Sequence, residues 1–209
     1  QDNLPAVNIV IPVCNEEKVI EAKLNSILQS DYPNDKIQIF LGLDNCTDST
    51  KSIIESKFST DNIKVIEFTE RQGKPNVLNQ IIEKQISNDD SILILTDANV
   101  IFTKTTIFEL IKYFKDEQIG LVDSTIKAQV STNKNEMDYW DYETDIKQHE
   151  SLVYGIIPGP SGACYAIRNT LMVFSVAKFS HGFIMRFPQI IQALRLVRPL
   201  GLAGALFSL

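Results

Sequence analysis

Four short apolar runs constrain this chain most: Val7 to Ile11, Ile37 to Leu43, Ile63 to Phe68 and Ser91 to Leu95. Between them lie stretches whose apolar residues recur at helical spacing. Glu17 to Gln29 carries Ile20, Leu24, Ile27 and Leu28 on one face, and Lys74 to Gln85 carries Val77, Leu78, Ile81 and Ile82. Thr47 or Asp48 can start a helix that runs to Phe58, and Thr105 to Phe114 turns Ile107, Leu110, Ile111 and Phe114 to one side. Pro12 is expected to stop the first strand, and Gly120 to Val130 is expected to form one later strand. Alternating strands and helices imply an α/β fold, with a mainly parallel central sheet and helices on both faces.

In such sheets ligands bind beyond the carboxyl ends of the strands. The polar punctuation of this chain falls there: Pro12 to Glu16, Asp44 to Asp48, Arg71 to Lys74, and Asp97-Ala98-Asn99. One crevice can gather all four segments.

Asp97 and Asn99 present two oxygen donors after a buried strand, a pattern that suits a hard cation such as Mg²⁺ or Mn²⁺ sharing its shell with phosphates. A strand-end Asp can also cap a turn; its occurrence together with Asp44 favours the ligand role. Asp44 can accept from a base imide or a ribose hydroxyl. Glu16 can line a nucleotide or simply favour a helix start, and Asp48 is open between a cap and a binding role. Lys74, after Gly73, can bring an ammonium to a diphosphate, although no GxxxxGK[ST] or GxGxxG loop is present.

Glu136 to Tyr154 is expected to form a helix, with Glu136, Trp140, Glu143, Lys147 and Glu150 sharing a face. Trp140 either half-buries on a solvated helix or stacks on a sugar ring. His149 and His181 have no partner at metal or triad spacing.

Other features narrow the function classes. The 209 residues suffice for one domain with a sizeable core. The net charge of -6, with no basic stripe in the first two thirds, argues against nucleic acid. Three cysteines without CxxC spacing argue against a zinc site or disulfide framework and for a cytoplasmic setting. The chain begins at Gln1 without a signal-like segment and is expected to be a trimmed fragment. No uninterrupted apolar run reaches 18 residues.

Residues 169–209 differ in composition. No Asp or Glu follows Glu150, and Arg186, Arg195 and Arg198 stand out. Phe187 to Arg198 is expected to form a basic amphipathic helix. Pro199 to Leu209 is apolar and is expected to lie in a membrane interface, begin a truncated span or stand outside the parent fold. The domain division is therefore 1–168 and an atypical basic-apolar tail, 169–209.

Several segments together resemble the family 2 glycosyltransferases, which have the GT-A fold with a Rossmann-like nucleotide-binding half. They are Val10 to Glu16, Leu43 to Thr50, Gly73 to Asn79, Thr96 to Asn99 and Gly159 to Ala163. Tyr139 to Glu143, Lys147 and Glu150-Ser151 resemble the membrane-linked, processive-like branch of that family. The resemblance implies inverting transfer of a sugar from a UDP- or GDP-sugar to the hydroxyl of a glycan or lipid-linked acceptor, as in polysaccharide biosynthesis, at the cytoplasmic face of the membrane.

It also implies roles for individual residues. Pro12, Glu16, Asp44, Lys74 and Asp97 would bind the donor nucleotide. Asp97 and Asn99 would hold Mg²⁺ or Mn²⁺, with Asn99 in place of the usual second Asp. Ser161, Gly162, Ala163 and Trp140 would lie near the donor sugar and acceptor. The acceptor hydroxyl needs a carboxylate base. The family places an acidic pair after the Ser-Gly-Ala turn, and this chain has none there; Gln192 to Leu196 is only a faint echo of a Gln-x-x-Arg-Trp acceptor motif. The catalytic base is thus unassigned, and donor binding is better supported than turnover. The alternatives are a non-catalytic nucleotide-sugar binding module and a sugar-nucleotide nucleotidyltransferase. The latter usually needs a Gly-rich basic loop after its first strand, which Pro12 to Glu16 does not supply.

Overall fold

The computed structural model describes residues 4–86, 90–128, 162–171, 195–197 and 204–207. The strands are β1 Val7–Val13, β2 Ile37–Asp44, β3 Ile63–Phe68, β4 Ile92–Thr96, β5 Val100–Ile101, β6 Ile119–Asp123, β7 Thr125–Ala128, β8 Cys164–Arg168, β9 Arg195–Val197 and β10 Gly204–Phe207. The α-helices are α1 Ile20–Leu28, α2 Thr50–Lys57, α3 Lys74–Gln85 and α4 Thr106–Ile111.

The main sheet has seven strands in the order β3-β2-β1-β4-β8-β6-β9. The pairs β1–β2, β1–β4, β2–β3 and β6–β9 are parallel, whereas β8 runs antiparallel to both β4 and β6. The chain leaves β1 toward β2 and β3, then returns to place β4 on the other side of β1. The β1/β4 boundary is therefore the switch point, where the loops leaving the two strands part and open a crevice.

Alternation along β1 divides the core in two. Val7, Ile9, Ile11 and Val13 join Ile20, Leu24 and Ile27 of α1, Ile54 of α2 and the buried residues of α4. Val10 faces the opposite side, with Phe40, Leu93 and Leu95, and meets Val77, Leu78, Ile81 and Ile82 of α3. Helices thus cover both faces of the sheet. Contact with α3 is close at Gly42: a Cβ there would lie 2.3 Å from Val77 Cγ1 and 2.7 Å from Ile81 Cδ1.

Pro12 does not stop β1, which continues to Val13 with Pro12 opposite Gly42. The ladder to β4 ends at Val10, so Pro12 sits where β1 is paired on one side only, a position that tolerates a missing N–H. The strand expected over 120–130 is divided at Ser124. Its N–H and hydroxyl both donate to Cys164 O, at 3.2 and 2.7 Å, and β6 and β7 then enter different sheets. Helix α4 is shorter than expected, passing into a 3-10 turn at Lys112–Lys115.

The tail also differs from expectation. Residues 195–197 are a strand parallel to β6, not the end of a helix, and β10 lies between β5 and β7 in a three-stranded sheet. An apolar run of this length suits a strand with neighbours on both sides. Among the described residues no helix is long and apolar enough to cross a membrane. The helix expected over 136–154, the first part of the basic segment at 187–194, Trp140 and Ser161 lie outside the described residues.

Candidate functional site

The loops after β1 and β2 are built around two asparagines in the left-handed region, Asn15 (φ 56°) and Asn45 (φ 54°). Asn is among the few side chains that tolerate this conformation. Asn15 Oδ1 accepts from the backbone N–H of Thr47 at 2.8 Å and so ties the first loop to the second. Asp48 strengthens the link: Oδ1 accepts from Thr50 N at 3.0 Å and Oδ2 from Glu17 N at 3.1 Å. Burial pushes its carboxyl up, but the Thr50 hydroxyl and the backbone N–H groups together outweigh it and hold the carboxyl below the usual range. Asp48 therefore acts here as a turn and helix-start brace.

Glu16, in the same loop, donates its backbone N–H to Thr50 Oγ1 at 2.8 Å. Its carboxyl is pushed up from the ordinary value, chiefly by burial and then by the negative charges of Asp97 and Asp48. Glu16 thus feels the charge of Asp97, which follows β4 on the other side of the switch point.

Asp44, at the end of β2, is almost fully buried. Its Oδ1 accepts from Gln72 N at 2.6 Å and its Oδ2 from Gly73 N at 2.9 Å, while Arg71 Nε lies 3.4 Å from Oδ2. Gly73 has φ 79°, which a side chain would strain, and it precedes the first turn of α3 with Pro75 inside that turn. One buried carboxylate therefore fixes the loop that delivers Lys74. Both carboxylate oxygens of Asp44 are thus engaged by this loop.

Lys74 Nζ donates to Asp97 Oδ1 at 2.5 Å and to Gly162 O at 2.8 Å. This ammonium joins the start of α3, the end of β4 and the turn into β8. The same place is closed by backbone: Asp97 N donates to Ala163 O at 2.9 Å. Gly162 has φ 80°, which explains a glycine at that bend. Of the residues singled out in the sequence, Lys74, Asp97, Gly162 and Ala163 thus meet directly. Glu16 adjoins them through charge, Asp44 stands behind Lys74 as its anchor, and Pro12 lies half-buried in β1 before the first loop.

Asp97 to Val100 form a tight turn in which Val100 N donates to Asp97 O at 3.3 Å. Among the described residues no three His, Cys, Asp or Glu side chains are arranged to hold a metal ion. Asp97 and Asn99 alone fit a cation whose shell is completed by phosphates and water. One observation supports that fit: Asn99 Oδ1 is buried and finds no hydrogen-bond donor, so the turn holds an acceptor oxygen that lacks an electropositive partner.

Lys23 is a residue that the sequence pattern did not single out. It is fully buried under the Asp97 turn, with Nζ donating to Thr96 Oγ1 at 2.9 Å and to Val100 O at 2.5 Å. Its position in the apolar stripe of α1, three residues after Ile20 and four before Ile27, was the available signal.

Comparison with known proteins gives a consistent family. The model of the family described as Glycosyl transferase family 2 matches residues 8–172. A beta-monoglucosyldiacylglycerol synthase of Nostoc sp. is 28% identical over 125 residues, which are 58% of this chain and 26% of that protein. The glycosyltransferase AglE of Haloferax volcanii is 25% identical over 151 residues, covering 71% of this chain and 48% of its own length. The chain thus spans half or less of these relatives. Among solved structures, the mannosyltransferase PcManGT from Pyrobaculum calidifontis, in complex with GDP-Man and Mn²⁺, superposes with a TM-score of 0.73. That match has 22% identity and covers 97% of this chain and 56% of the other, a likeness of fold. S. aureus TarS in complex with UDP-GlcNAc gives a TM-score of 0.54 at 20% identity, over 61% of this chain and 36% of that one.

Proposed function

The chain belongs to glycosyl transferase family 2, and from that premise we propose that it binds a UDP- or GDP-sugar at the β1/β4 switch point and serves inverting hexosyl transfer to a hydroxyl of a glycan or lipid-linked acceptor. The observation that carries this reading is the meeting of Lys74 with Asp97 and Gly162 at one nitrogen. Three segments distant in sequence supply a cation, a carboxylate and a small-residue bend at the end of the parallel strands. That combination suits a diphosphate joined to a sugar.

Electrostatics adds a requirement. The negative charges of Asp97 and Asp48 both act on Glu16. A diphosphate entering such a place needs positive charge beside it. Lys74 supplies one charge. Asp97 and Asn99 would hold Mg²⁺ or Mn²⁺, which when bound would neutralise the charge left on the diphosphate as the anomeric bond breaks. Lys74 lies near enough to Asp97 to exchange that carboxylate for a phosphate oxygen, moving from an internal pair to the donor. Gly162 and Ala163 would lie beside the sugar. The PcManGT structure, with its GDP-Man and Mn²⁺, supports this donor reading by analogy of fold.

Family membership sets aside the nucleotidyltransferase alternative. The binding-module alternative is favoured by one sequence fact, the absence of Asp and Glu after Glu150. We therefore place donor binding ahead of transfer for this chain. The test is incubation with labelled UDP- and GDP-sugars, scoring binding and release of the nucleotide separately. Saturable donor binding with little release fits this reading. Rapid transfer would mean that a base is supplied from elsewhere in the chain, and an absence of binding to either class would refute the proposal.

A further inference from the structure

Lys23 is the largest fully buried side chain of the described residues, and it carries an amine. Its nitrogen reaches from α1 across the sheet end to the base of the Asp97–Val100 turn. It donates to Thr96 Oγ1, one residue before Asp97, and to Val100 O, one residue after Asn99. The Thr96 hydroxyl in turn lies 3.4 Å from Asp97 O, which already accepts from Val100 N. The contacts close a ring around the base of the turn. The Phe102 ring centre, 3.8 Å from Nζ, covers the amine on another side.

Stability does not account for an amine here. An apolar side chain of similar length would fill the space between α1 and β5 without the cost of desolvating a charge. Burial pushes the Lys23 ammonium down to about 7, with Cys164 and Asp97 pulling it back up. Both hydrogen bonds survive loss of the proton, since a neutral amine keeps two N–H donors. What the amine adds is direction: it fixes the two chain positions that flank Asp97 and Asn99.

We propose that Lys23 is a positioning residue, which braces the Asp97–Val100 turn from beneath so that Asp97 and Asn99 present their oxygens to one divalent cation. The proposal rests on the reading of Asp97 as a cation ligand. It extends that reading to a side chain that touches neither the cation nor the donor. Residues that orient metal ligands in this way typically weaken metal affinity by about 10- to 100-fold when replaced.

The test uses the full chain with K23M, T96V and D97A. Mn²⁺ binding is read from the electron paramagnetic resonance signal of free Mn²⁺ in the presence of UDP or GDP, and thermal unfolding is recorded in parallel. K23M is expected to melt at or above the wild-type temperature while its Mn²⁺ affinity falls about tenfold or more. T96V, which removes one acceptor of the amine, is expected to lower affinity in the same direction. A folded K23M with wild-type Mn²⁺ affinity, beside a D97A that has lost it, overturns the proposal. Should K23M fail to fold, T96V decides: weakened affinity supports the brace and wild-type affinity overturns it. If D97A itself keeps wild-type affinity, the underlying reading of Asp97 fails first, and the brace with it.

Discussion

Lys74 Nζ stands 2.5 Å from Asp97 Oδ1, across 23 positions of sequence and between two different elements of the fold. Both partners are partly exposed, Lys74 by 43% and Asp97 by 31%. A pair so open to water contributes at most about 1 kcal/mol to stability. In the proposed function its value lies in keeping an ammonium ready for the donor diphosphate. Lys74→Met should therefore leave the urea midpoint nearly unchanged while weakening UDP or GDP binding about tenfold or more, as measured by calorimetry. Loss of stability without loss of affinity would make Lys74 a structural residue.

Asp44 differs from Lys74 because it is buried and holds two backbone amides. Asp44→Ala would leave the Gln72 and Gly73 N–H groups without their acceptor. The expected cost is about 1.5–3 kcal/mol in urea denaturation, with nucleotide affinity falling as well because the Lys74 loop is released. A variant of wild-type stability would show that water replaces the carboxylate without cost.

Gly42 allows α3 to lie on β2. Gly42→Ala would push a methyl to within 2.3 Å of Val77 Cγ1, and a β-strand offers no easy retreat. Overpacking of this kind costs about 1–3 kcal/mol. Chemical denaturation of the variant checks it.

Glu16 gives a pH signature. Its folded pKa lies above the ordinary 4.5, raised by burial and then by Asp97 and Asp48. The folded state holds the proton more tightly than the unfolded chain. Any stability from Glu16 is thus full below about 4.5 and is lost as pH rises through the folded value. Glu16→Gln, which mimics the protonated form, should gain in melting temperature over wild type at pH 7 relative to the difference at pH 4. A difference independent of pH would contradict the repulsion assigned to this cluster.

Much of this architecture was legible because its elements obey local rules. The strands at 37–44 and 63–68 and the helix at Lys74–Gln85 follow apolar period and punctuation. The convergence of Lys74, Asp97 and Gly162 was legible only as an expectation about strand ends, since nothing local fixes which loops touch. Pro12 misled because its tolerance depends on where the neighbouring ladder ends. The division at Ser124 depends on Cys164 O, 40 positions away. Lys23 was overlooked because a lysine at a stripe position reads as a polar interruption until its acceptors, 73 and 77 positions on, are brought beneath it. The two tail strands depend on partners far upstream and carry little local pattern.

In the proposed function Asp97 couples a divalent cation to the donor diphosphate. Calorimetric titration of UDP and GDP into wild type and Asp97→Ala, each with and without Mn²⁺, tests it most directly. One nucleotide is expected to bind wild type more tightly with Mn²⁺, and the substitution is expected to remove this gain. Nucleotide binding that ignores Mn²⁺ and is unchanged by Asp97→Ala would contradict it.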